Sequence, residues 1–112
     1  MPPRTKLPGK VTQALKKLGS DINEARRRHE ITTMTMSRKA KISRPTLTRV
    51  ERGDAGVSVG TYASILYVLG MADRVADIAD IAHDQIGLAM MRKQLPQRIR
   101  PPKSRAVTKR RI

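Results

Sequence analysis

The chain of 112 residues predicts an all-α fold. Three observations point to it. Apolar residues recur at spacings of three and four from Val11 to Ile86, which is the stripe of an amphipathic helix. Alternation of apolar and polar residues, which a half-buried strand requires, is nowhere sustained. Ser, Pro and Gly fall between the apolar stretches, where helices begin and end. Five short helices within 18–91 make a compact domain.

The first helix carries the stripe Val11, Leu15, Leu18, Ile22, Ala25 and His29. Gly19 interrupts it at a cost of about 1 kcal/mol relative to Ala. The robust helix is therefore set at 18–29, with 12–17 as a fraying extension and His29 as a packed residue. A second helix spans about 33–40 and buries Met36 and Ala40, with Met34 at the rim. Ser43 is the N-cap of a third helix, since its hydroxyl accepts an early backbone N–H. Pro45 fits the first turn, where its missing N–H costs little. Leu47 and Val50 are the buried pair, and Gly53 stops the helix as a residue able to take positive φ. Ser58 caps a fourth helix that runs to about Leu69, with Tyr62, Ile65, Leu66 and Leu69 inward and Gly70 at its end. A fifth helix begins near Asp73. Its stripe is Val75, Ile78, Ala79 and Ala82, extended by Ile86, and Asp73 and Asp77 suit a helix N-terminal region.

Charge divides the chain further. Lys and Arg number 24 against 9 Asp and Glu. Residues 1–17 hold five basic groups and no acid, and 92–112 hold nine and no acid. These are read as a basic N-terminal extension and a flexible, Pro-containing basic tail. The intervening 18–91 carries ten basic and nine acidic groups, so nearly all the surplus lies on the ends. A net charge of +15 points to a polyanion as partner. With Tyr62 and Tyr67 as the only aromatics, a base-stacking single-strand binder is disfavoured. Cys is absent, which excludes a disulfide framework and thiolate metal sites and fits a reducing compartment. The longest apolar run, Ile65 to Ala72, is far short of the roughly 20 residues of a membrane helix. The first ten residues lack the apolar core of a secretory signal. A cytoplasmic location on the nucleoid, away from membranes, is expected.

The second and third helices are the informative pair. Two short helices joined by a tight turn, the second rich in polar and basic groups, describe a helix-turn-helix. Such a motif sets its second helix in the DNA major groove. The run Ala40-Lys41-Ile42-Ser43-Arg44-Pro45-Thr46-Leu47-Thr48-Arg49-Val50-Glu51-Arg52-Gly53 carries the pattern A-x-I-S-x-x-T-L-x-R-V-E-R-G. It resembles the Xre family of Cro and lambda-type repressors, over about residues 18–82. The resemblance implies a lambda-repressor-like five-helix domain. It places Arg44, Pro45, Thr48 and Arg49 where family members present base-reading side chains. Arg44 and Arg49 each offer a fork for guanine O6 and N7, a pairing worth about 1–3 kcal/mol of discrimination. Thr33, Lys41, Ser43 and Thr46 fall where phosphate is met. Lys41 stands in place of the usual turn glycine, so it must tolerate positive φ or the turn must differ. Arg26 and Glu51 match the pair that ties the first helix to the end of the third.

A narrower resemblance covers Ser58–Asp80 and Gly87–Arg100, which look like the HipB-type antitoxins, repressors encoded beside HipA-like serine/threonine kinase toxins. It implies a repressor that autoregulates a toxin–antitoxin operon and binds a kinase. Leu95, Arg98, Ile99 and Arg100 are the part of the tail best suited to dock that partner; the rest either joins it or lies along phosphates. Binding as a two-fold dimer is expected, with Val75, Ile78, Ala79 and Ala82 as the interface. That same stripe also suits packing within the domain. Two alternatives stay open: a protein-interaction antitoxin whose main work is binding a kinase toxin through the C-terminal region, and a stand-alone phage-type repressor. A charge-driven nonspecific nucleic-acid binder is disfavoured by Asp73, Asp77, Asp80 and Asp84.

Enzymatic readings find no constellation. His29 and His83 lack ligand-spaced partners for a metal. Gly9-Lys10-Val11-Thr12 lacks the upstream Gly and strand of a phosphate loop, and Gly56–Gly60 lacks a following Lys. No cofactor and no catalysis are expected.

Overall fold

The computed structural model describes residues 6–98, with side chains described as far as Lys93. All the regular structure among the described residues is helical: α1 (Gly9–Arg28), α2 (Thr33–Ala40), α3 (Arg44–Glu51), α4 (Val59–Val68), α5 (Ala72–Ala76), a single 3₁₀ turn at Ile81–His83, and α6 (Gln85–Arg98). The chain divides into two units, one ending at Val75 and the other starting at Ala76.

The first unit holds the core. Ile22 and Ala25 of α1, Met36 and Ala40 of α2, Leu47 and Val50 of α3, and Tyr62, Ile65 and Leu69 from α4 and its end are buried together. Leu18, Ile31, Ile42, Val57, Leu66, Val68 and Met71 close around them. With Tyr62 as the one buried aromatic, aliphatic side chains and Met36 fill most of this interior.

The starts of three helices and the ends of four have a local chemical cause. α2, α3 and α4 open on the same device. Thr32, Ser43 and Ser58 accept the backbone N–H of the residue three further on, at 3.1, 3.2 and 3.1 Å. That residue is a threonine each time, Thr35, Thr46 or Thr61, and its hydroxyl pairs with the cap hydroxyl. The helix ends are equally uniform. After α1, α2, α3 and α4 a left-handed residue turns the chain: Glu30 (φ 57°), Lys41 (φ 60°), Gly53 (φ 76°) and Gly70 (φ 79°). The next N–H then reaches back to a carbonyl five residues earlier, Ile31 to Arg26, Ile42 to Ser37, Asp54 to Arg49 and Met71 to Leu66, at 2.7–3.0 Å. This is the Schellman motif, and it satisfies carbonyls that the helix leaves unpaired.

α1 begins at Gly9, inside the span read as a basic extension, and continues through Gly19 without a break. Gly19 is buried. A Cβ there would lie 2.5 Å from the Val50 carbonyl oxygen, 2.6 Å from the Gly53 nitrogen and 2.8 Å from the Glu51 carbonyl oxygen. A Cβ on Gly53 would in turn strike the backbone of Leu15 and Lys16. The two glycines thus let α1 and the end of α3 meet backbone to backbone. Beside this crossing, Arg26 Nε donates to Glu51 Oε2 at 2.7 Å and Nη2 to Oε1 at 3.3 Å. Asn23 donates to the same carboxylate at 2.7 Å, and Arg26 Nη1 to the Ile31 carbonyl at 3.0 Å. The expected tie between the first and third helices is therefore present. Both charges are hydrogen-bonded as well as paired, the condition under which burial of an ion pair is tolerated.

Further expectations are corrected. His29 is exposed beyond the end of α1, and Val11 is also exposed, so the buried part of that stripe is Ile22 and Ala25 with Leu15 and Leu18 half-buried. Met34 is exposed on α2. The fifth helix is not continuous. Val75 lies in the five-residue α5, Ile78 and Ala79 in a turn, and Ala82 in the 3₁₀ turn; Ile78, Ala79 and Ala82 are exposed. Two aspartates start the turns that follow the end of α5. Asp80 Oδ1 accepts the Ala82 N–H at 2.8 Å, and Asp84 Oδ1 accepts the Gly87 N–H at 2.9 Å. Each side chain starts a new turn where the apolar spacing alone continues an old one. In the second unit, α6 follows and runs to Arg98, across the boundary set at residue 92.

Candidate nucleic-acid interface

Three residues, Lys41, Ile42 and Ser43, join α2 to α3. Lys41 takes the left-handed conformation that its place in the turn demands, and its side chain is exposed. Ile42 tucks against the core. Ser43 caps α3, and Pro45 sits in its first turn.

Burial fixes which way α3 faces. Leu47 and Val50 are 1% and 0% exposed. At about 100° per residue, Arg44, Thr48, Arg52, Pro45 and Arg49 occupy one continuous arc of about 140° on the opposite side of the helix. All five are exposed. The four residues expected to read bases thus share one solvent-facing surface. Arg52, which falls between them on this arc, was not among the expected residues. Its position one residue before Gly53 reads as helix end in the sequence, and only the completed last turn returns it to this face.

Acidic groups near this surface are engaged within the fold. From Thr33 to Gly53 the basic residues are Arg38, Lys39, Lys41, Arg44, Arg49 and Arg52, and the single acid, Glu51, is held by Arg26 and Asn23. The next acid, Asp54, accepts from Arg49 Nε at 2.8 Å. That hydrogen bond, and then the carboxylate charge, raise the pKa of the Arg49 guanidinium further above its ordinary value. Tyr62, whose hydroxyl donates to the Asp54 carbonyl at 2.8 Å, is also raised, first by burial and then by the charge of Asp54.

Of the residues expected at phosphate, Thr33 and Lys41 are exposed, the first at the opening of α2 and the second in the turn. The helix cap is Thr32, one position earlier than the residue read as opening the helix. Ser43 and Thr46 are in contact with each other: Ser43 Oγ donates to Thr46 Oγ1 at 2.9 Å and accepts the Thr46 N–H. Thr46 is half-buried. These two hydroxyls serve the cap first.

The other expected sites are scattered. Val75, Ile78, Ala79 and Ala82 do not form one helical stripe. Leu95 and Arg98 lie on α6, while Ile99 and Arg100 fall outside the described residues. Among the described residues no group of His, Cys, Asp and Glu is arranged to hold a metal ion. No described helix is long and apolar enough to cross a membrane. No protein-family model, curated protein or solved structure matches the chain.

Proposed function

We propose that the chain is a sequence-specific DNA-binding repressor that reads duplex DNA with the exposed face of α3. The observation that carries this reading is the opposition of faces on that helix. Leu47 and Val50 anchor one side in the core, and Arg44, Pro45, Thr48 and Arg49 present the other as a single surface. A base-reading helix needs this, because its side chains must reach base edges from a backbone that does not shift. The capped start, the Schellman end and the Arg26–Glu51 tie all hold that backbone. Lys41 and Thr33 are proposed phosphate contacts, with Ser43 and Thr46 contributing through the start of α3. The antitoxin role, with a HipA-like kinase as second partner, and the homodimer belong to the resemblance of the sequence and are proposed on that ground.

Selection of duplexes from a random pool, followed by fluorescence anisotropy on the selected site, tests the reading. Arg49→Ala is expected to flatten discrimination at one base pair, a loss of about 1–3 kcal/mol. Lys41→Ala is expected to weaken all duplexes alike and to reduce the salt slope by about 1. Equal affinity for selected and scrambled duplex at physiological salt would overturn it.

A further inference from the structure

We propose that Asp54 is a positioning residue for base recognition: it fixes the Arg49 guanidinium so that its terminal nitrogens are presented outward to a guanine. This rests on the reading of α3 as the base-reading helix and adds the device that aims one of its side chains.

The device begins in the backbone. Asp54 and Arg49 occupy the two positions that the Schellman motif at the end of α3 brings together, and the Asp54 N–H donates to the Arg49 carbonyl at 3.0 Å. An apolar contact commonly fills this place. Here the side chains make an ion pair instead, Nε to Oδ2 at 2.8 Å. The carboxylate is itself held. Its Oδ1 accepts the Gly56 N–H at 2.6 Å, and the Asp54 carbonyl accepts from the hydroxyl of Tyr62, a core residue 5% exposed. Gly56 leaves the pair room, since a Cβ there would sit 3.0 Å from Arg49 Nη2 and 3.1 Å from Asp54 Oδ1. A line of contacts thus runs from the core through Tyr62 and Asp54 to a guanidinium whose side chain is half exposed. Nε is taken by the carboxylate, which leaves both terminal nitrogens outside that bond for a bidentate acceptor such as guanine O6 and N7.

The cost and the benefit fall on different quantities. A carboxylate close to DNA repels phosphate, so Asp54 lowers affinity for any duplex. An arginine fixed before binding has fewer wrong acceptors within reach, so Asp54 raises the contrast between bases. Specificity gains where affinity loses.

The experiment uses the full chain and the duplex obtained by selection, with each base pair replaced in turn. Arg49→Ala marks the base pair it reads, with a loss of about 5- to 150-fold in discrimination there. Asp54→Asn is expected to reduce discrimination at that same base pair by at least about threefold, leave the other positions unchanged, and bind scrambled duplex as well as or better than the parent. Tyr62→Phe keeps the core ring and removes the hydroxyl, and is expected to weaken discrimination at the same place. Adding Asp54→Asn to Arg49→Ala is expected to change nothing further there. Melting temperatures separate this from unfolding, because loss of fold lowers all positions together. If Arg49→Ala flattens one base pair while Asp54→Asn and Tyr62→Phe leave it as sharp or sharper, the inference is wrong. A uniform loss across all positions in those two variants would also overturn it. If selection yields no preferred duplex, the reading of α3 itself fails, an outcome visible before any variant is made.

Discussion

Ser37 is a polar group in the wrong surroundings. It lies mid-helix in α2, 6% exposed, and its hydroxyl has no hydrogen-bond partner among the described residues. A buried hydroxyl without a partner has lost its water and gained nothing in return. Alanine also has the higher helix propensity. Ser37→Ala is therefore expected to stabilise the chain by about 1 kcal/mol, read as a rise of several degrees in melting temperature. An unchanged or lower melting temperature would show that the hydroxyl is satisfied in solution. The contrast with Arg26 is instructive. That residue is also buried, but its Nε, Nη1 and Nη2 all donate, to Glu51 and the Ile31 carbonyl. Burial alone does not make a polar group unfavourable; burial without partners does.

At the scale of the element, the crossing of α1 and α3 decides more than any single contact. Helix propensity favours Ala over Gly by about 1 kcal/mol, and on that ground Gly19→Ala would stabilise α1. The crossing reverses the sign, because the new methyl meets backbone atoms of α3 that cannot rotate away. Gly19→Ala is expected to destabilise the chain by about 1–3 kcal/mol overall. Chemical denaturation gives the value, and a stabilised variant would show that the helices separate at no cost. This position also shows where sequence reading runs out. The start of α3 at Ser43, its end at Gly53 and the Arg26–Glu51 tie were legible, since each depends on a local residue preference or a recognisable pattern. Gly19 was not, because its role depends on a second helix 30 residues away. The fifth helix, read as one stripe from Val75 to Ala82 and on to Ile86, was misjudged for a different reason. The apolar period continues through Asp80 and Asp84, and nothing in periodicity says that these side chains bond to the backbone instead of facing solvent. The exposed face of α3 was legible from that helix alone, whereas the link from Tyr62 through Asp54 to Arg49 required the loop after α3 to be folded.

For the whole molecule, the surplus charge and the proposed base-reading helix lie on different parts of the chain. Residues 99–112 hold six basic groups and no acid, whereas 18–91 is close to neutral. Counterion release depends on how many phosphates are neutralised, not on which bases are read. Removing residues 99–112 is expected to lower the salt slope of duplex binding by up to about 5 and to leave discrimination between base pairs unchanged. Anisotropy titrations across a salt series report both quantities. Lost discrimination in the truncated chain would place part of the base reading outside α3.

Lys41 has a consequence for how long the protein lasts. A lysine at φ 60° costs roughly 1–2 kcal/mol that glycine avoids. Glu30 at φ 57° carries a similar cost at the end of α1. Small domains are stable by only about 5–15 kcal/mol, so these two residues enlarge the unfolded fraction that proteases meet. A shift of about 1–2 kcal/mol is enough to alter abundance several-fold in a cell. A partner bound only by the folded form offsets the loss in proportion to the logarithm of its concentration over its Kd. Occupancy by such a partner therefore lengthens the lifetime of the chain.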